Sequence, residues 1–410
     1  MKINWTSTLP FTTMNWRYFS GFTSILVMLL FLSCDDSSTN PQQSGREIIL
    51  TVSPDIGTNQ TTFQPHALIV DGDDTSRIDP DYLVQCDYNG DGVAETTWLD
   101  TIPHTDIFSQ HGRHTLKVIV KDSLGQMDST SCYIYVQPLV QITPTNTSGS
   151  GQENIDWSRD GSNRIAFDTY GGEAGANQSI FIVDYPNGLP EKISFNPDSG
   201  NYFFDQFPEW SPLGDRIACA SSNGLDIIDV QTHQRTTLDP GGDYAMRSWS
   251  PDGRWLCYWA YRNHESKTMI HDFSADTTGV LFDEELFMTW SPDGSQIARR
   301  AYRVPTTLLQ IIDFPSKAIV AEYEIMIQDW SIDWSPDGRW ISVGFNQSYE
   351  IAQVLHVESG KIYTMAIDNL VRAWYPSWSE DGTLLAFEAR ENISGVWSSI
   401  WAIEWPDIKD

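Results

Sequence analysis

Trp249-Ser-Pro-Asp-Gly253, Trp290-Ser-Pro-Asp-Gly294 and Trp334-Ser-Pro-Asp-Gly338 are three copies of one five-residue phrase. Near-copies begin at Trp157 (WSRDG), Trp210 (WSPLG) and Trp378 (WSEDG). Successive first tryptophans lie 53, 39, 41, 44 and 44 residues apart. A period near that length with strand-like content predicts propeller blades, one four-stranded sheet per repeat. Ser-Pro-Asp-Gly is type I turn chemistry, with proline presetting φ at the second position. The turn is expected to join the first two strands of a blade. The tryptophan before it is a large plate suited to packing between blades.

The strands around the phrase repeat as well. Ile165-Ala166, Ile217-Ala218, Leu256-Cys257, Ile297-Ala298, Ile341-Ser342 and Leu385-Ala386 pair a large aliphatic with a small residue at nearly the same offset. One sheet face is expected in the core, with the other closely approached by a neighbouring sheet. Third strands follow, such as Asp226-Ile-Ile-Asp229, and fourth strands, such as Arg235-Thr-Thr-Leu238. The sixth unit stops before a fourth strand. Leu139-Val-Gln-Ile-Thr143 precedes the first phrase and is expected to complete that blade, leaving no open sheet edge in the ring.

Six W-S-P-D-G-x-x-I-A-F-like copies over residues 139–410 resemble the TolB-type propeller, also called the WD40-like or PD40 repeat. The resemblance implies a six-bladed propeller used for protein contacts in a bacterial envelope. No stretch resembles the α/β domain that precedes the propeller in that family.

Short alternating runs with turns every ten or so residues fill 47–138 and predict a small β-sandwich. Cys86-Asp-Tyr-Asn-Gly-Asp-Gly92, His104 to Phe108 and Gly112-Arg-His-Thr-Leu-Lys-Val-Ile-Val-Lys-Asp122 resemble the PKD signature of an immunoglobulin-like module. Cys86 stands where that family has tryptophan, and Trp98 is the candidate to fill the space. The fold class expected for the whole chain is all-β: a six-bladed β-propeller with an N-terminal immunoglobulin-like β-sandwich.

Gly21 to Leu32 is a short apolar run after Arg17, too short for a comfortable span and suited to a signal segment in residues 1–33. Met14 is an alternative start. Phe31-Leu-Ser-Cys34 resembles a lipobox, which implies lipidation of Cys34 and an anchored protein of the bacterial envelope, periplasmic or cell-surface. Residues 34–46 are polar and read as a tether. Cys86, Cys132, Cys219 and Cys257 are scattered without metal-type spacing and are expected as buried free thiols.

The formal net charge is −30, which repels phosphate backbones and excludes a nucleic-acid binder. No GxSxG nucleophile elbow occurs, and His264-Glu265 lacks the second histidine of a zinc helix. His111 and His114 share an HxxH spacing but open a strand-like run. Asp87, Asn89, Asp91 and Glu95 place oxygen atoms at positions 1, 3, 5 and 9 of a glycine-containing loop, a candidate Ca2+ site. The competing reading is a turn held by side-chain-to-backbone bonds. These observations favour a non-catalytic, lipid-anchored scaffold whose partner is an envelope protein. The alternatives are an envelope lyase or glycosidase with its site over the propeller channel, and a calcium-dependent adhesion or glycan-binding module.

Overall fold

The computed structural model describes residues 46–408, apart from 54–55, 58–62, 72–73, 78–82, 89–91, 100–109, 122–124, 144–149, 172–177, 196–203, 242, 285–286, 304–305, 326–330, 348–349, 368–369 and 392–397. Cys34 and the signal-like run lie outside the described residues. All regular structure among the described residues is β.

Six four-stranded antiparallel units follow one another around a ring, making the six-bladed propeller. Their first strands are Ser150–Trp157, Asp205–Trp210, Asp243–Trp249, Met288–Trp290, Ile332–Trp334 and Leu370–Trp378. Each ends on the tryptophan of a phrase. The serine carbonyl then accepts the glycine N–H, at 2.8 Å in Ser250–Gly253 and 2.9 Å in Ser291–Gly294. The serine hydroxyl accepts the amide five residues on, as from Trp255 at 2.8 Å and Trp340 at 2.9 Å. The aspartate accepts from that hydroxyl, at 2.6 Å in both Ser291–Asp293 and Ser335–Asp337. The glycines hold left-handed φ values of 67–76°, which a side chain would strain. Every letter of the phrase after tryptophan therefore serves the turn.

Each tryptophan packs against the preceding blade. Trp249 lies with Ala218, Ala220 and Leu225 of blade 2, and Trp334 with Ala298, Leu309 and Ile311 of blade 4. The large–small pair has the same logic. Ile217 packs back toward Trp210 of its own blade, while Ala218 makes room for Trp249 of the next. Six apolar seams hold the ring, and their area is the main stabilising term.

The N-terminal strands are β1 (Arg46–Ser53), β2 (Ile56–Gly57), β3 (Gln64–Asp71), β4 (Asp74–Arg77), β5 (Leu83–Asp87), β6 (Gly112–Lys121) and β7 (Met127–Val136), followed by β8 (Leu139–Gln141). Strands β1, β3 and β4 form one sheet, and β2, β7, β6 and β5 form another. Leu50 and Phe63 meet Val84, Cys86, Leu116, Val118 and Ile134 between them, which makes a β-sandwich. Trp98 does not fill the space beside Cys86. Leu99 packs there, bridged to Val84, and Trp98 is half-buried with the Lys121 ammonium 5.3 Å from its ring. Neighbouring residues of an extended chain face opposite sides, so only one of the two can turn inward. All four described cysteines are buried, and none is in a disulfide.

The sandwich is fastened to the propeller. Strand β2 pairs in parallel with the outer strand of blade 5 (Ile56↔Met365) and with β7 (Ile56↔Tyr135). Tyr135 joins Trp340, Tyr363 and Met365 in one apolar cluster. Only Gln137 and Pro138 separate β7 from β8. Strand β8 pairs antiparallel with the third strand of blade 6, Ser399–Glu404 (Val140↔Ala402), as its fourth strand. Blade 6 is thus assembled from both sides of the ring.

Candidate functional site

The first strands line the central channel. The residue before each tryptophan points to its axis: Asp156, Glu209, Ser248, Thr289, Asp333 and Ser377. All six are polar, a regularity written in the sequence just outside the repeated phrase. Part of the reason is structural. The Trp210 amide donates to Asp156 of blade 1 at 2.6 Å, Trp378 to Asp333 of blade 5 at 2.7 Å, and Trp157 to Ser377 of blade 6 at 3.0 Å. Each contact joins a blade to its neighbour.

Above this ring, on the side of the phrase turns, opens a cavity of about 360 Å³. Its rim follows the phrase's third letter around the ring. Pro212, Pro251, Pro292 and Pro336 form an apolar collar, while Arg159 of blade 1 and Glu380 of blade 6 replace proline. Leu213, standing where the other copies have aspartate, is 68 % exposed on the same turn as Pro212. Its turn still closes, because Ser211 donates to Asp215 instead, at 2.7 Å. Below the ring a narrower space of about 90 Å³ continues past Phe207 and Tyr375.

Charge concentrates at the waist. Arg159 Nη2 donates to both oxygens of Asp333, at 2.9 and 2.8 Å. Asp156 and Glu209 also act on Arg159 electrostatically. Burial alone would lower the Arg159 pKa, but the three carboxylates outweigh it and raise it. Burial pushes the Asp156 carboxyl up to about 7 against the pull of Arg159. Asp333 is raised for the same reason, again opposed by Arg159. The site therefore holds three carboxyl groups around one guanidinium.

A second feature lies deeper. Asn154, Phe207 and Tyr375 occupy the same register, three residues before their tryptophans, with left-handed φ of 53°, 54° and 52°. Such a conformation costs on the order of 1 kcal/mol or more for a bulky residue. Neighbouring blades hold two of them. Glu388 accepts the Asn154 amide at 2.8 Å, and Asp168 accepts the Phe207 amide at 2.7 Å. The Phe207 and Tyr375 rings stand 6.3 Å apart.

The calcium candidates are divided. Asn89 and Asp91 lie outside the described residues. Asp87 Oδ2 accepts the Gly92 amide at 2.9 Å, and Glu95 Oε2 accepts the Tyr88 amide at 2.7 Å. These are the side-chain-to-backbone bonds of a turn. Among the described residues, no group of three or more His, Cys, Asp or Glu is arranged to hold a metal ion. His114 contacts the Gln110 carbonyl at 2.8 Å.

No known family model matches the chain, and no curated protein matches it. Among solved structures, TolB from Acinetobacter baumannii is similar at a TM-score of 0.43 and 13 % identity, over 79 % of this chain and 80 % of that one. An oligogalacturonate lyase in complex with manganese reaches 0.47 at 10 % identity, over 73 % and 99 %. A putative TolB from Agrobacterium tumefaciens reaches 0.41 at 16 %, over 64 % and 96 %. At these scores the likeness carries no argument about function. The propeller stands on its own strand pairing.

Proposed function

We propose that this chain is a non-catalytic scaffold of the bacterial envelope, anchored through Cys34, whose propeller docks a protein partner over the phrase-side mouth of the channel. The carrying observation is the mouth itself: a cavity ringed by four prolines beside an exposed Leu213, over a polar floor. An apolar surface enclosing a few polar groups is the composition of a protein-binding hot spot. The TolB-type repeat reading supports the same role, and the PKD-like reading of the sandwich suits an extracellular module.

The test is affinity capture from crosslinked, detergent-solubilised envelopes. Three forms are compared: the natural chain, Cys34→Ala, and a collar variant carrying Leu213→Asp and Pro251→Asp. A partner should be captured by the natural chain, be depleted with Cys34→Ala, and be lost from a collar variant that melts normally. Undiminished capture by the collar variant would remove the mouth from consideration.

One observation favours an enzyme as the second reading. A carboxyl that titrates near neutrality is suited to general acid–base chemistry, and Asp156 has that property beside Arg159. No histidine lines the mouth among the described residues. Cleavage of an envelope polysaccharide by the natural chain, abolished in Asp156→Asn, would establish that reading over the scaffold. For the calcium-dependent adhesion reading, the measurement is a rise in melting temperature on adding Ca2+.

A further inference from the structure

Arg159 is an unusual occupant of the mouth. Four phrases carry proline at its position, and proline has no charge and no side-chain donor. The Arg159 side chain starts in blade 1, on the far side of blade 6 from its partner, and ends on Asp333 in blade 5. A guanidinium is thus already seated at the waist of the cavity. The groups facing this seat come from several elements: Asp156 and Arg159 from blade 1, Glu209 from blade 2 and Asp333 from blade 5, with Glu380 of blade 6 on the rim above. One guanidinium among three carboxyl groups leaves negative charge in excess. The cavity of about 360 Å³ extends above it, between the prolines.

The walls add a second kind of contact. Pro212, Pro251, Pro292 and Pro336 give the cavity apolar walls. Apolar walls over an anionic floor fit a side chain with a hydrocarbon stem and a cationic head. A carboxylate pair favours such a head through charge-assisted hydrogen bonds.

Building on the docking reading above, we infer that the mouth accepts a lysine or arginine side chain from the docked partner, and that Arg159 fills that seat in the free protein. Arg159 then acts as an internal competitor. Binding requires its displacement from Asp333, which weakens the apparent affinity of the natural chain. Removing it leaves the seat open. Asp156, partly protonated near neutral pH, ionises fully when an external cation arrives.

The probe is a cyclic hexapeptide of glycine and leucine with one arginine, set against a twin with citrulline, the neutral isostere of arginine. Titration calorimetry measures both. The natural chain should bind the arginine peptide more tightly than its twin, and Asp333→Asn or Asp156→Asn should erase the difference. Arg159→Ala should bind the arginine peptide roughly tenfold tighter than the natural chain, because the competing occupant is gone. The citrulline twin should gain nothing. Binding to Arg159→Ala should strengthen between pH 6 and pH 8, with release of a proton.

Equal affinity for the twins, or no gain in a normally melting Arg159→Ala, would overturn the inference. Should Arg159→Ala not fold, the comparison of twins on the natural chain and Asp156→Asn decides alone. The docking reading fails separately. If the collar variant loses the partner but the twins bind equally, docking stands and the basic side chain is wrong. If the collar variant keeps the partner, the docking reading falls and the inference falls with it.

Discussion

Asp156→Asn should stabilise the protein increasingly as pH rises toward and past neutrality, and leave it almost unchanged only below about pH 4. Asparagine keeps an oxygen for the Trp210 amide that Asp156 now accepts at 2.6 Å. It removes the carboxyl proton. The Asp156 carboxyl is raised in the folded protein from an ordinary 3.8 to about 7. Its favourable contribution is present in full below the unfolded value and is lost as pH rises through the folded one. Each tenfold preference for the protonated form is worth about 1.4 kcal/mol, so the ceiling on the gain at pH 8 is about 4 kcal/mol. Solvent reaches the channel, and Arg159 and Asp333 relax together with Asp156, so about 2 kcal/mol is the working expectation. The turn carboxylates Asp252, Asp293 and Asp381 behave oppositely. Hydrogen bonds from their own turns hold them below the usual range, though at Asp381 burial opposes this. Their contribution is lost as pH falls, and both proteins share it. The assay is urea unfolding followed by tryptophan fluorescence, at pH 5, 6, 7 and 8. A stability difference that does not grow with pH would refute a raised, buried Asp156.

Trp378→Ala removes a fully buried side chain from the seam between blades 5 and 6 and should cost about 3–5 kcal/mol in urea unfolding. Ala298→Leu places extra methyl groups where Trp334 of the next blade packs, and should cost about 1–3 kcal/mol. Gly294→Ala meets nothing closer than Pro251 at 3.6 Å, so its cost should be that of the left-handed backbone alone, about 1–2 kcal/mol. Gly214→Ala should cost more, because its Cβ would fall within 1.8 Å of the Asp160 carboxylate. Equal melting temperatures for the two glycine variants would contradict that ordering.

The fold class was legible because the phrase is a local device repeated six times. Turn chemistry and the large–small pair are written within ten residues of each tryptophan. The site was less legible. Its side chains come from several blades, about forty residues apart in sequence, and meet only at the axis. The repeat tells which strand lines the channel. It does not tell that Arg159 leans across blade 6 to Asp333. Two signals were nevertheless present in the sequence: the polar residue before every tryptophan, and the two phrases that lack proline. Reading a repeat for what recurs hides the positions where it departs. Trp98 failed for a different reason. The sequence supplies a large apolar residue near Cys86, but strand pairing, which is set by the partner strand, turns Leu99 inward instead.

The departures at Arg159 and Glu380 invite a purely structural explanation, since both lie where the ring closes. Glu380 of blade 6 accepts the Gly161 amide of blade 1, and Arg159 of blade 1 reaches Asp333 of blade 5. Magnitudes weigh against that explanation being sufficient for Arg159. Its side chain is 25 % exposed and that of Asp333 is 16 %. Net of desolvation, a mostly buried ion pair of this kind adds little to stability. The seam between blades 6 and 1 is closed by Trp157 packed with Leu384, Ala386, Ile400 and Ala402. Losing a buried tryptophan from such a cluster costs about 3–5 kcal/mol. Closure is therefore secured by apolar packing, with strand β8 supplying the last edge of blade 6. Blades 2 to 5 make the same turn with proline. A charged residue over carboxylates at the mouth of the channel, where four other blades make the same turn with proline, supports the proposed seat for a basic side chain.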